Sequence, residues 1–294
     1  MTGSIEQLLE KLGRPQAVER AVALFEKARA KGAVAYREAD YDLALAHDML
    51  GTILFKGGQA EPALGLFVEA QRLFEELGER GDRMESVTLT EQADCLRVMG
   101  QLDKAAEKYE ENIQRAEKLE DFRQVGVGKG QLATTQMLQG KHEEAIAGFE
   151  AAKHLFAQQN EPASVATALH QLGVVYEEAG QYEPAEEAYR RALEITTQLG
   201  NLSGQTSSLG QLGNLYISCL SRPEEAVTFY RQAADKYVAQ QDLQKEGVVR
   251  NNIENTLCKL RCYDDARPEI LRAIECDKPF GHAAQPWKTF AILH

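Results

Sequence analysis

Three groups of side chains in this sequence carry the residue types that chemistry needs, and each fails on spacing. Gly126-Val127-Gly128-Lys129-Gly130 has the glycines and lysine of a phosphate-cradling loop. It lacks that motif's spacing and closing Ser or Thr, and it lies inside a helical pattern with no strand before it. There the glycines thin the helix for close packing or open a groove. Cys258 and Cys262, four apart, are followed by Cys276 and His282, so four soft ligands fall in one terminal region. The spacing is not a Cys-x-x-Cys knuckle, and buried thiols are the expected state rather than zinc ligands. His47, His142, His154, His170, His282 and His294 are scattered. None forms a His-Glu-x-x-His or nucleophile-elbow pattern. No catalytic residue, metal or cofactor is expected, and the chain is not expected to be an enzyme by itself.

The elements that must position any functional side chain announce themselves by repetition. An Ala, an aromatic or Ile four residues on, and an Ala three further recur as Ala21/Phe25/Ala28, Ala63/Phe67/Ala70, Ala145/Phe149/Ala152, Ala185/Tyr189/Ala192, Ala226/Tyr230/Ala233 and Ala266/Ile270/Ala273. Ala105/Tyr109 keeps the first two, with Asn112 replacing the last Ala. Successive units are 42, 42, 40, 40, 41 and 40 residues apart. Before the last six triads stands a second signature, clearest in Leu172-Gly173-x-x-Tyr176 and Leu212-Gly213-x-x-Tyr216, with Leu50-Gly51 and Leu132-Ala133 as variants. Spacings of three and four place these residues on one face of a helix, and Glu, Gln, Lys and Arg fill the other positions. Each unit therefore holds two helices.

Gly57-Gly58, Gly100, Gly140 and Gly180 sit between the paired helices, where glycine's left-handed conformation closes a helix. Pro62 and Pro184 follow the turns at equivalent positions and suit the first turn of the next helix. The spacing predicts an all-α chain of antiparallel hairpins over 37–79, 82–118, 121–158, 161–199, 202–239 and 242–276, preceded by a tail or helix at 1–14 and a lone helix at 15–35. Each unit touches mainly its neighbours, which makes a one-dimensional stack with a long concave surface.

The two-helix unit, the Leu-Gly-x-x-Tyr motif and the Ala-x-x-x-aromatic triad resemble the tetratricopeptide repeat, over nearly the whole chain. The resemblance implies a right-handed α-α superhelix. A period near 40 exceeds the family's usual length of about 34, which lengthens both helices. That form is similar to repeats of kinesin light chains, of adaptors rich in Leu-Gly-Asn motifs, and of bacterial regulators carrying such arrays behind a nucleotide-switch or protease domain. Members of the family are recognition parts.

The resemblance also implies that the first helix of each hairpin lines the concave groove. Just before the Leu-Gly or its equivalent stand Gln131, Gln171, Gln211 and Asn251, forty apart each time, while earlier units depart with Met49 and Glu91. Three residues further come Thr134, Val174, Asn214 and Glu254. Side-chain amides both donate and accept, so a row of them can pair with the backbone of an extended peptide. The alternative is that they satisfy helix backbone or solvent, their periodicity following from duplication. Asp94, Arg97, His170, Glu177, Arg250 and Glu254 add charge near this row, slightly acidic on balance, which favours a partner with basic residues.

Composition narrows the partners further. With 45 acidic and 33 basic side chains the net charge is -12, which opposes a nucleic-acid backbone. No apolar run approaches the ~20 residues of a membrane span, and Met1 to Glu10 lacks a signal-peptide pattern. Five cysteines, an odd number spread through helical patterns, fit reduced thiols, and the expected compartment is cytoplasmic. The expected function is a protein-interaction module, a scaffold or sensor binding a peptide or protein, with a regulatory part of a larger signalling or enzyme assembly as the rival. Pro279 and Pro286 punctuate the end, and Trp287, Phe290, Ile292 and Leu293 in the segment 279–294 read as a capping lid or the stump of a further repeat before a dimer contact.

Overall fold

A computed structural model of the chain describes residues 39–280, together with the isolated position 23. Apart from that position, the expected tail at 1–14, the lone helix at 15–35 and, beyond Phe280, the terminal segment at 279–294 lie outside the described residues. Among the described residues there are twelve α-helices and no strand. They are α1 (Ala39–Lys56), α2 (Ala60–Glu76), α3 (Asp82–Val98), α4 (Leu102–Lys118), α5 (Phe122–Leu138) and α6 (His142–Gln158), then α7 (Pro162–Glu178), α8 (Tyr182–Gln198), α9 (Leu202–Ser218), α10 (Pro223–Gln240), α11 (Leu243–Lys259) and α12 (Tyr263–Asp277). The chain divides into two compact units, residues 1–155 and 156–294. In the first, α1 to α5 pack each on the next, and in the second α7 to α12 do the same.

Most helices run 17 residues, as in α4 and α8, which is about 25 Å at 1.5 Å per residue. What stops them is a left-handed residue, found at Gly58, Gly78, Gly100, Gly140, Gly180 and Gly200, and also at Glu120, Asn160, Ser221, Gln241 and Arg261. Successive ones lie 20 to 22 residues apart. The residue after the left-handed one closes the turn onto the helix just ended, as Gln101 N–H donates to Leu96 O at 2.9 Å and Gln181 N–H to Tyr176 O at 2.8 Å. Three of the following helices start on a side-chain cap: Asp121 accepts from Gln124 N–H, Asn201 from Gly204 N–H and Asp242 from Lys245 N–H.

The triads form the core. Ala63, Ala105, Ala145, Ala185, Ala226 and Ala266 are at most 1% exposed, and Phe67, Tyr109, Phe149, Tyr189 and Tyr230 at most 3%. Burying each ring contributes roughly 1.5–3 kcal/mol. The Leu-Gly glycine exists to admit that ring. A Cβ on Gly51 would stand 2.7 Å from Phe67 Cε1, on Gly173 2.5 Å from Tyr189 Cδ1, and on Gly213 2.4 Å from Tyr230 Cε1. Where the second helix carries Ile270 in place of a ring, the position equivalent to the glycine is Ile253, also fully buried. The glycine run of α5 serves the same end, since a Cβ on Gly128 would meet Ile113 Cγ1 of α4 at 2.7 Å.

Two glycines one helical turn apart in α9 separate these effects. Ala is favoured over Gly in a helix by about 1 kcal/mol, and Gly210 has nothing within 4 Å of an added Cβ. Gly210→Ala should therefore stabilise the chain by up to about 1 kcal/mol. Gly213→Ala should destabilise it by about 1–2 kcal/mol, overpacking against Tyr230 outweighing the helix preference. Urea unfolding of the two variants beside the wild type measures both signs.

Candidate functional site

The first helices of the hairpins are α1, α3 and α5 in one unit and α7, α9 and α11 in the other. Gln131 stands on α5; Gln171, Gln211 and Asn251 stand on α7, α9 and α11, and all four are half-buried. Gln211 Oε1 accepts from Asn214 Nδ2 at 3.1 Å. The side-chain amides of Gln131, Gln171 and Asn251 have no hydrogen-bond partner among the described residues. Their capacity to donate and accept is unspent.

The residues three further along do a different job. Tyr230 OH donates to Asn214 Oδ1 at 2.7 Å, and Tyr109 OH donates to Asp94 Oδ1 at 2.6 Å, both running from the core ring of the second helix to the first helix of the same hairpin. Val174 cannot accept, packs against the core, and the role passes one turn on, where Glu177 Oε2 accepts from Tyr189 OH at 3.0 Å. Thr134, opposite Phe149, turns its hydroxyl onto Gly130 O at 3.0 Å. Glu254, in the hairpin of Ile270, is 1% exposed and accepts from Cys258 Sγ at 3.2 Å. Burial pushes the Tyr230 hydroxyl up to about 12, so it stays a donor. These tyrosine ties were missed in the sequence, although the separation of 15 residues from Asp94 to Tyr109 and 16 from Asn214 to Tyr230 marks them.

The charges near the amide row are likewise taken up inside the protein. Asp94 binds Arg97 at 3.0 Å. Burial raises the Glu177 carboxyl above its ordinary range, opposed by the bond from Tyr189. Arg250 bridges Glu246 at 3.2 Å and Glu269 at 2.6 Å, and Arg272 reaches Glu246 Oε1 and Oε2 at 2.8 and 2.9 Å. Glu246 is 1% exposed. Burial alone would raise its carboxyl, but the bonds from Arg272 and Arg250 prevail and hold it below the usual range. This network fastens α11 to α12 and was not visible in the sequence, because its members lie on two helices with no repeat of their spacing.

What remains on the α7 and α9 surface is small and uncharged. α9 has no ionisable Asp, Glu, Lys, Arg or His, and α7 has only His170 before its terminal Glu177 and Glu178. Between the two lies a cleft of about 150 Å³ lined by Ala163, Thr167, His170, Asn201, Gly204 and Ser207, among others. Burial lowers the His170 pKa below its ordinary value, and its ring lies 5.6 Å from the Tyr189 ring. A neutral imidazole, hydroxyls and amides make a surface fitted to backbone groups rather than to ions. Among the described residues no group of three or more metal-holding side chains occurs. Cys276 is buried and Cys258 half-buried, and burial, more than their carboxylate neighbours, pushes both thiols up to about 11. His282 lies outside the described residues. No helix among the described residues is long and apolar enough to cross a membrane.

Residues 126–198 match a tetratricopeptide repeat family model, and residues 208–244 match a second model of the same description. Among solved structures the chain is similar to BtubC (BKLC) from P. vanneervenii, with 22% identity over 81% of this chain and 92% of that one and a TM-score of 0.65. It is similar to a Signal Transduction ATPase with Numerous Domains protein with a tetratricopeptide repeat sensor from Pyrococcus horikoshii, with 15% identity, 98% of this chain, 52% of that one and a TM-score of 0.66. A Rap protein complexed with Competence and Sporulation Factor is 14% identical over 93% of this chain and 83% of that one, with a TM-score of 0.60. No curated protein sequence matches the chain. At these identities the likeness establishes the fold, a solenoid of tetratricopeptide hairpins.

The ion network yields a test of what holds the last hairpin. Glu246→Gln strips a buried carboxylate from two guanidinium groups, and should cost about 3 kcal/mol at neutral pH. A depressed carboxyl contributes stability that is present above its unfolded pKa and lost as pH falls through the folded one. The gap between wild type and variant in urea unfolding should therefore narrow on acidification below the ordinary carboxylate range.

Proposed function

We propose that this array of tetratricopeptide repeats is a protein-interaction module, a scaffold or sensor that holds an extended segment of a peptide or protein in a groove lined by the first helices. The observation that carries the reading is that each unit keeps half-buried amides whose hydrogen bonds are unspent, Gln131 in the first and Gln171 and Asn251 in the second. Gln211 joins them, together with the uncharged surface of α7 and α9 and its cleft. Amides that pair with a peptide backbone give affinity with modest sequence dependence. Asn214, Glu177, Arg250 and Glu254 then stiffen the helices proposed to line the groove, being committed to internal bonds. A net charge of -12 would speed the approach of a partner with basic residues more than it would tighten the complex.

A second reading, the recognition part of a larger regulatory assembly, draws on the Pyrococcus horikoshii likeness. There a repeat sensor belongs to a multidomain ATPase, and the match spans 52% of that chain. The two readings share the groove and differ in what lies beside it.

The test replaces Gln131, Gln171, Gln211 and Asn251 together by Ala and compares retention of partners from native cell extract with the wild type, after circular dichroism shows equal helicity. Two to four lost hydrogen bonds at about 1 kcal/mol each should weaken the complex roughly thirty- to thousand-fold. Equal retention by both proteins would remove binding from the amide row and sink the proposal.

A further inference from the structure

Two carboxyl side chains in the first unit face each other where no repeat logic demands it. Asp48 of α1 is 7% exposed. Glu91 of α3 occupies the position held by Gln131, Gln171 and Gln211 in later hairpins, and its Oε1 accepts from Thr52 Oγ1 at 3.0 Å. Asp48 Oδ1 and Glu91 Oε2 are both buried, and neither accepts from any donor. Thr52, one helical turn on from Asp48, holds the Glu91 carboxyl against the same stretch of α1, so the two carboxyls form one buried cluster. Ionised carboxylates only accept, so a bond between these two requires a proton.

We propose that Asp48 and Glu91 share one buried proton, and that this proton fastens α1 to α3 and so makes the packing of the first two hairpins sensitive to pH. The surroundings reinforce retention of the proton. On α3, Asp94 adds a like charge that disfavours ionisation of Glu91, and Arg97 is bound to Asp94. The Cys95 thiol, raised to about 12 by burial and by Asp94 and Glu91, stays neutral. From α4, Tyr109 donates to Asp94. On α1, His47 Nδ1 pairs with Leu43 O at 2.9 Å. From α2, Glu69 pairs with Arg72 at 2.6 Å. Burial first, then the bond and charge of Asp48, raise Glu91 to about 9 while Thr52 pulls it down. Burial raises Asp48 as well, against the bond from Glu91.

The sign follows from linkage. A carboxyl raised in the folded state binds a proton that the unfolded chain has lost, so its contribution is complete below the ordinary carboxyl pKa and disappears as pH rises towards about 9. Within that window each pH unit changes the unfolding constant by up to about tenfold. The amide at the equivalent positions of later hairpins shows the substitution that would remove the effect. In Glu91→Gln the side-chain N–H donates to Asp48 at every pH.

Infrared spectra of the full chain in D₂O at neutral pH should show a protonated carboxyl band that Glu91→Gln removes and that the wild type loses near pH 9. The urea midpoint of the wild type should fall from slightly acidic pH to about pH 9 relative to that of Glu91→Gln, and run parallel to it above. Absence of the difference band, or parallel midpoints in the two proteins, would overturn the shared proton. Should Glu91→Gln fail to fold, Asp48→Asn places the permanent donor on the other partner and must give the same flattening; a pH profile parallel to the wild type's there overturns the proposal equally.

Discussion

An aromatic ring enters these helix–helix interfaces only where the opposing helix carries glycine or at most the methyl group of Ala93 or Ala133, and this exclusion governs the hairpins. Gly173 makes room for Tyr189 and Gly213 for Tyr230, with Cβ positions that would fall within 2.5 Å of ring carbons. The alanines one turn on either side of the ring complete the recess, and all are fully buried. Where the ring is absent the exclusion lifts, and the two positions hold Ile253 and Ile270, both buried. Close packing at native density leaves little latitude at these positions, which is why a short motif is sufficient to define the unit.

The same contact organises the polar groups. A tyrosine ring driven into the interface carries its hydroxyl to the far helix, where it must be satisfied because a buried unpaired hydroxyl is costly. Asp94, Glu177 and Asn214 meet that need. Polar side chains along the first helices thus fall into two classes, those consumed by the core rings and those with capacity left over. The second class contains Gln131, Gln171 and Asn251, whose side-chain amides keep their hydrogen bonding unspent among the described residues.

Much of this was legible in the sequence because repetition magnifies weak signals. The Ala-aromatic triads, the Leu-Gly motif and the glycines at Gly100, Gly140 and Gly180 each gain meaning from recurring at a fixed step. The helix ends at Glu120, Asn160, Ser221, Gln241 and Arg261 were not legible as left-handed residues. For side chains other than glycine that conformation carries a penalty of roughly 1–2 kcal/mol, and it is imposed here by the packing of the helices on either side. The residues proposed for the groove were legible only as positions. That Arg250 is bound by Glu246 and Glu269, and that Glu254 is 1% exposed, depends on side chains from neighbouring helices whose arrival no single-helix pattern encodes.

Helices in each unit touch chiefly the next helix in the chain, and a left-handed joint comes every 20 to 22 residues. Nearly all contacts are therefore short in sequence separation, and loop closure adds little entropic cost before they form. Low contact order of this kind goes with rapid folding, and in a linear stack order can nucleate in any hairpin and spread to its neighbours. By the same arithmetic, a defect or an opened joint is felt locally, so one hairpin can loosen and re-form while those further along stay in register.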